Sequence, residues 1–419
     1  MVSKAGDILK KKFLGIILAC SMIFSISGCT DKNQIGNSEK IPASPEFKIE
    51  KNEGLEEFSF NLLEKTYNPG ENILISPLSV TYALGMTGNG ADSETRQEFE
   101  TVLGLEIDDL NDFTKNYINK INSLEDVKFN LADSIWVNKE KNLKLNKDFE
   151  KKILENYDAE VYKEKFNDKT VKKINKWVDK NTNKMIPEII NELSPEEIII
   201  LVNALAFEGE WDEPYEDYQV EYGLFSNYDK TLSDVSFLTS DVNNYVSNGE
   251  ACGFFREYSG YEYGFFALLP EKDVPIDDFV ENLSGEKFDD FFQNISYDYV
   301  VHTKIPKFEV EYGANLSGPI NNMGLKSAFE HDADFSLMTD EKENGIYISD
   351  IIHKTYMKVD ENGTKAAAVT AVKNESAMEN PEEPEYKEVI LNRPFVYGII
   401  DLETMMPVFT GVMNNITAL

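Results

Sequence analysis

The chain has 419 residues, 75 of them acidic and 41 basic, for a net charge of −34 at pH 7 with 42% hydrophobic residues. That balance excludes nucleic acid and anionic membrane surfaces as partners of the body, because its own field repels polyanions. The length allows a large hydrophobic core.

Residues 1–28 read as an export address. Lys4, Lys10, Lys11 and Lys12 precede an apolar run from Phe13 to Ile26, too short for a comfortable membrane span and placed where a secretory signal belongs. The run ends in Ile26-Ser27-Gly28-Cys29, which resembles a bacterial lipobox. That resemblance implies lipidation of Cys29 and anchoring at the extracellular face of a bacterial membrane through buried acyl chains; a plain cleaved signal and secretion is the other reading. Cleavage would remove four lysines and Asp7, leaving 37 basic against 74 acidic residues. Cys20 would leave with the signal and Cys29 would carry lipid, so Cys252 stands alone and no internal disulfide is expected. Cys252, beside Gly253-Phe254-Phe255, reads as a small buried hydrophobe.

Residues 29–44 form a polar tether with little to bury. Residues 45–419 form the body, in which helices and strands interleave without an internal repeat. Asp92-Ser93-Glu94-Thr95-Arg96-Gln97-Glu98-Phe99 predicts a capped helix start, and 171–192 predicts a helix interrupted at Pro187. Phe129–Val137, Glu262–Leu269, Tyr299–Val310 and Tyr386–Asp401 predict strands from their aromatic and β-branched content. The mixture predicts an α/β or α+β body with large sheets.

The most informative stretch comes late. Glu361-Asn362-Gly363-Thr364-Lys365-Ala366-Ala367-Ala368-Val369-Thr370 leads into Ala371–Met378. Propensity alone leaves helix and strand equally open. Alternation from Thr364 puts Thr364, Ala366, Ala368, Thr370, Val372 and Asn374 on one face, all small or uncharged, and Lys365, Lys373 and Glu375 on the other. Such a segment can enter the middle of a sheet, and Gly363 gives it freedom to rotate.

These residues closely resemble the proximal hinge of the reactive-centre loop of inhibitory serpins. The flanks fit: Ala333-Asp334-Phe335-Ser336 and Tyr347–Lys354 before it, Asn392-Arg393-Pro394-Phe395-Val396-Tyr397 and Pro407-Val408-Phe409-Thr410-Gly411 after it. The resemblance implies the serpin fold, a single domain of mixed α and β with three β-sheets, about eight or nine helices and an exposed reactive-centre loop at about 361–385. It further implies an irreversible suicide-type inhibitor of serine proteases, without catalytic activity of its own.

By motif match, Ser76 and Ser79 in Asn72–Val80, Asn203 in Leu201-Val202-Asn203-Ala204, and His353 correspond to the family's shutter. Trp211, in Phe207-Glu208-Gly209-Glu210-Trp211, marks the breach where the loop enters, and Lys307 and Glu361 match the pair across it. Glu208 departs from the usual basic residue. Ile174–Val178 with Trp177 resembles the helix crossing the front of the main sheet. The hinge is carried by Glu361, Gly363, Thr364, Ala366, Ala367 and Ala368. Counting by family convention places the scissile bond between Ala377 and Met378, and a small residue there suits elastase-like or subtilisin-like pockets. The acidic stretch Glu379–Glu385 makes the segment after the bond longer than is common; cleavage after Met378 or Lys373 would shift the target.

Ser, Asp350 and His353 do not form a hydrolase triad: there is no G-x-S-x-G elbow and Asp350 lies three residues from His353 on one strand. No metal or cofactor is expected, since His302 and His331 have no second ligand at metal spacing. The implied partner is a serine protease held as a covalent acyl complex by a monomeric body. Other readings are a non-inhibitory serpin acting as a binding protein, an inhibitor of a cysteine protease, and a solute-binding lipoprotein, which would not carry these segments.

Overall fold

The computed structural model describes residues 49–339, 345–364 and 385–417, together with the backbone of Gln34–Ile35. In chain order come β1 (Gln34–Ile35), α1 (Glu53–Thr66), β2 (Ile73–Ile75), α2 (Pro77–Gly88), α3 (Ser93–Leu103) and α4 (Ile107–Ser123). Next are β3 (Val127–Asn138), α5 (Lys147–Tyr157), β4 (Glu160–Glu164), α6 (Asp168–Asn181) and β5 (Ile199–Glu210). A run of strands follows: β6 (Val220–Ser226), β7 (Leu232–Val242), β8 (Val246–Ser247), β9 (Ala251–Glu257) and β10 (Tyr263–Pro270). Then come α7 (Ile276–Glu281), α8 (Gly285–Gln293), β11 (Tyr299–Pro306), β12 (Phe308–Asn315), α9 (Ser317–Met323) and β13 (Ile348–Asp360). The last strands are β14 (Gly363–Thr364), β15 (Glu385–Ile390), β16 (Phe395–Asp401) and β17 (Pro407–Met413).

The strands form three sheets. The central one has seven strands in the order β1-β4-β3-β5-β14-β13-β12, the second six in the order β2-β17-β16-β10-β9-β8, and the third four in the order β15-β11-β7-β6. With nine α-helices among the described residues, this is the mixed architecture with three sheets that the family resemblance implies.

Local chemistry sets the boundaries. Ser76 caps α2 through its side chain and Pro77 follows at the first helical position, where no backbone donor is needed. Every residue of α2 is buried, so the helix runs through the core rather than along its surface. Asp92 caps α3, and the left-handed Gly104 ends it. The run Ile199–Phe207 of β5 is buried on both faces, as suits an interior strand, and Asn203 is its one polar residue.

Four boundaries differ from expectation. The predicted strand 299–310 is two strands in different sheets, β11 and β12, with Lys307 between them; Pro306 has no N–H to continue the ladder. The predicted strand 386–401 likewise splits into β15 and β16 around Arg393-Pro394. The helix predicted to run to Pro187 ends at Asn181, because Asn183 and Lys184 take left-handed backbone angles. The tether contributes a two-residue strand, Gln34 and Ile35 pairing antiparallel with Tyr162 and Val161 at the sheet edge.

The larger core packs the rear of the central sheet, through Ile135, Leu201, Leu205 and Phe207, against the second sheet and the helices. A smaller one lies in front, where Ile174 and Val178 of α6 cover Trp136, Ile200 and Val202. Trp136 stacks on Tyr162, with centroids 4.2 Å apart, and Trp177 meets both rings edge-on, so Trp177 fastens α6 across the sheet as expected. Cys252 is half-buried, and burial raises its thiol pKa.

Candidate functional site

The central sheet carries a seam. β5 and β13 are parallel neighbours from Ile199 and Ile348 up to Ala206 and Tyr356. Above that point β14 lies between them, with Thr364 antiparallel to both Gly209 of β5 and Val359 of β13. The first two residues of the predicted hinge strand, Gly363 and Thr364, therefore already occupy the top of the sheet.

Gly363 is required there. Its φ is +145°, and a Cβ on it would lie 2.2 Å from the carbonyl oxygen of Gly209. Thr364 is fully buried, and its Oγ1 hydrogen-bonds the Tyr258 hydroxyl at 2.6 Å. This burial matches the inward face assigned by alternation.

Trp211 closes the top of the seam. Its ring stacks on Tyr258 with centroids 4.7 Å apart and an interplanar angle of 5°, and its Nε1–H donates to the Asp360 carbonyl at 2.9 Å. The backbone N–H groups of Trp211 and Tyr215 donate to the carbonyls of Asn362 and Glu361 at 2.9 and 2.8 Å. The Arg256 guanidinium sits 4.2 Å from the centroid of Tyr215 and 5.5 Å from that of Trp211, a cation held on two ring faces. Lys307 and Glu361 pair at 2.5 Å with both side chains partly exposed. An exposed pair of this kind contributes about 1 kcal/mol at most; Lys307→Ala is expected to lower the stability of the uncleaved protein by no more than that, as read by denaturant unfolding. Glu208, the departure from the family pattern, accepts from Asn130 and Asn183, each at 2.9 Å.

Below, four predicted polar residues meet under the sheet. The Ser79 hydroxyl donates to Asn203 Oδ1 at 2.8 Å, and Asn203 Nδ2 donates to the Ser79 carbonyl at 2.6 Å. His353 Nδ1 contacts the same Asn203 Oδ1, and His353 Nε2 accepts the Ser76 backbone N–H at 3.1 Å. Ser76 Oγ donates to the Val408 carbonyl at 2.9 Å and accepts the Ser79 N–H at 3.2 Å. One arrangement satisfies all of these: a neutral imidazole with its proton on Nδ1. Burial holds the His353 pKa down at about 3. The network ties α2, β5, β13 and β17 together across the seam.

Sequence reasoning missed three participants. Asp133 of β3 accepts from Asn203 Nδ2, while its other oxygen is buried without a partner. Burial pushes its pKa well above the ordinary value, with the Asn203 bond opposing, so the acid is neutral over a wider range than usual. Asp133→Asn keeps an acceptor for Asn203 and removes the ionisation; the loss of stability with rising pH should shrink, as measured by unfolding midpoints between pH 5 and 8. The signal was a lone acid at an inward position of the apolar run Leu131–Val137. Tyr258 and Arg256 carry no such signal, since their roles arise only where the end of β9 meets Trp211, Glu213 and Tyr215 beyond β5. Ala366, Ala367, Ala368, Ala377, Met378 and Cys29 lie outside the described residues.

Neither remaining histidine gathers ligands. His302 pairs with Asp241 at 3.0 Å, and His331 meets the Tyr347 ring edge-on. Among the described residues no group of three or more His, Cys, Asp or Glu side chains is placed to hold a metal ion, and no helix is long and apolar enough to cross a membrane.

Known proteins resemble the chain in fold and sequence. The chain resembles the native-state crystal structure of the thermophilic serpin tengpin with a TM-score of 0.82 and 36% identity, covering 92% of this chain and 100% of that one. Tengpin in its latent state gives 0.76 and 35%, covering 88% and 100%. Among curated proteins, Serpin-Z1B of Triticum aestivum is 28% identical over 52% of this chain and 56% of its own length. Plasminogen activator inhibitor 1 of Neovison vison is 30% identical over 51% and 53%. The chain thus spans about half the length of the curated relatives it matches. The family described as Serpin (serine protease inhibitor) matches residues 53–416, nearly all of the body, and the chain belongs to that family.

Proposed function

We propose that this protein is a single-use inhibitor of serine proteases, with the segment 361–385 as bait. The observation that carries this reading is the seating of Gly363 and Thr364 between the tops of β5 and β13, in the register an entering strand would continue. A target serine attacks the Ala377 carbonyl, the amine of Met378 leaves, and the protease remains esterified to Ala377. The severed strand then enters the seam and carries the protease with it. Each new backbone pairing contributes about 0.5 to 1.5 kcal/mol net, so a dozen drive the change strongly. The small Ala377 favours elastase-like or subtilisin-like proteases, whose pockets do not require a long charged side chain. The serpin supplies no catalytic group; Ser76, Ser79, Asn203 and His353 act as a polar latch that exchanges partners when the sheet parts, and Trp211, Lys307 and Glu361 govern entry at the top.

The test is incubation of residues 45–419 with elastase-like, subtilisin-like and trypsin-like proteases, followed by denaturing gels and mass spectrometry. A denaturation-resistant complex with a released peptide beginning at Met378 is expected. Clean cleavage by every protease with no complex, and no gain in thermal stability, would favour a non-inhibitory binding protein.

The same reading includes a lipid anchor on Cys29, supported by Ile26-Ser27-Gly28 directly before it. In a bacterial host, labelling with a palmitate analogue should mark the wild-type protein and not Cys29→Ser. Equal labelling of both would exclude the anchor.

A further inference from the structure

Beside the latch the central sheet leaves a cleft that trapping does not use. β3 pairs with β5 along one side, but with β4 on the other only from Ser134 onward. Among the described residues, then, no strand covers the outer edge of Val127–Asp133. That edge lines a cleft of about 680 Å³, walled by Ile118 and Ile121 of α4 and by Trp177 and Lys180 of α6. The volume suits a small organic molecule, since ligand clefts run from about 300 to 1,000 Å³.

Its polar anchor is already built. Asp133 lines the cleft where pairing with β4 is about to begin, and it is only 6% exposed. Its Oδ1 accepts from Asn203 Nδ2, whereas Oδ2 is buried and has no hydrogen-bond partner. A buried carboxyl oxygen without a donor is costly. Asp158 and Glu160 add two more carboxyls to the lining, against one cation, the exposed Lys180. Glu160 is engaged by Trp177 and Tyr162. Asp133 therefore offers the cleft its unmet acceptor, while the partly exposed Ile121, Phe129 and Leu131 offer it apolar surface.

We propose that this cleft binds a small organic primary ammonium ion, its head donating to Asp133 Oδ2 and its apolar body lying along Ile121, Phe129 and Leu131. An anionic ligand would meet three acidic residues. A neutral hydroxyl would supply a donor but no counter-charge, and an ammonium supplies both. Burial raises the Asp133 pKa with only the Asn203 bond opposing, as befits a carboxyl that lacks a cation. Where Asp133 is protonated in the free protein, that proton passes to solvent as the ammonium enters.

Occupancy reaches the latch through a single side chain. Asp133 holds Asn203, which Ser79 and His353 also hold. A ligand that fixes Asp133 should stiffen the β5–β13 seam and slow strand entry, a consequence that rests on the inhibitory reading above. Binding itself is read without any protease. Isothermal titration of the uncleaved full chain with phenylbutylamine and with phenylbutanol compares two ligands that differ only in the head group. The wild type should bind the amine about tenfold more tightly than the alcohol, or better, and Asp133→Asn should lose that preference. Hydrogen–deuterium exchange of the wild type should slow over residues 127–134 and 198–205 when the amine is added, which locates the site without any variant. Equal affinity for amine and alcohol would leave only an apolar cleft and overturn the proposal. So would absence of amine binding at millimolar concentration, protection confined to other segments, or an undiminished preference in a folded Asp133→Asn. A tenfold preference confined to the wild type, alongside protease complexes that never form, would overturn the inhibitory reading and leave the site standing.

Discussion

On the proposed trapping reading, Thr364→Arg is expected to turn the protein from a trap into a substrate. Thr364 is fully buried between Gly209 and Val359 with its hydroxyl on Tyr258. Around it lie the Trp211 and Tyr258 rings, which offer a guanidinium a π-face but no carboxylate. Seating an arginine there leaves an unpaired charge in a low-dielectric site, at a cost of several kcal/mol. The variant therefore leaves the hinge unseated, and cleavage proceeds while entry of the strand is slowed. Because each 1.4 kcal/mol on the entry barrier is tenfold in rate, a cost of about 3 kcal/mol lets on the order of a hundred turnovers occur per trapped protease. Titration of a protease against the variant measures this as the stoichiometry of inhibition, near one for the wild type. Thr364→Ser keeps the hydroxyl and the size and should remain near one. An arginine variant with unchanged stoichiometry would mean that Thr364 need not be buried for trapping. The substitution should also lower the stability of the uncleaved protein by about 1 kcal/mol through loss of the Tyr258 hydrogen bond.

That seating could be foreseen in part. Period-two alternation from Thr364 identified an inward face of small side chains, and the inward position of Thr364 follows from it. The depth to which the hinge sits in the uncleaved protein could not be read, because it depends on a contest between β13 and β14 for the edge of β5. Asn203 was legible by its match to the family's shutter; that it is the lone polar residue of a strand run buried on both faces, where an amide must find partners, came from the structure. Its partnership with Asp133 was not legible, since the register of β3 on β5 is set by long-range pairing. The split of 299–310 was missed for a related reason. Both halves favour the strand conformation, and only Pro306 and the demand of two different sheets separate them. Propensity reports conformation and is silent about which neighbour a strand will choose.

Acidification should loosen the latch around Asn203, and His353 is the reason. Its imidazole is buried and neutral, donating from Nδ1 toward Asn203 and accepting the Ser76 N–H at Nε2. A second proton would have to sit on Nε2, facing a backbone donor already there. Burial accordingly lowers its pKa from 6.5 to about 3. Between those values the unfolded chain binds a proton that the folded protein refuses, so stability present above pH 6.5 is lost as the pH falls toward 3. The loss attributable to His353 is about 3 kcal/mol by pH 4.5 and about 5 kcal/mol once both states are protonated. Asp133 acts in the opposite sense. Its raised pKa means that the folded protein takes up a proton the unfolded chain does not, so its contribution is present at low pH and lost as the pH rises. The two groups touch the same Asn203 side chain and oppose each other across the acidic range. His353→Gln removes one and leaves the other: the variant should be less stable than wild type at pH 7.5 by about 1 to 3 kcal/mol, the penalty for buried partners left unmatched, and should lose little further stability on acidification. Urea unfolding midpoints of the uncleaved protein at pH 7.5, 6, 5 and 4.5 compare the two profiles. Parallel profiles for wild type and His353→Gln would place the acid-sensitive step elsewhere; convergence at pH 4.5 is the expected result, because at that pH the wild-type imidazole has forfeited most of what the variant lacks.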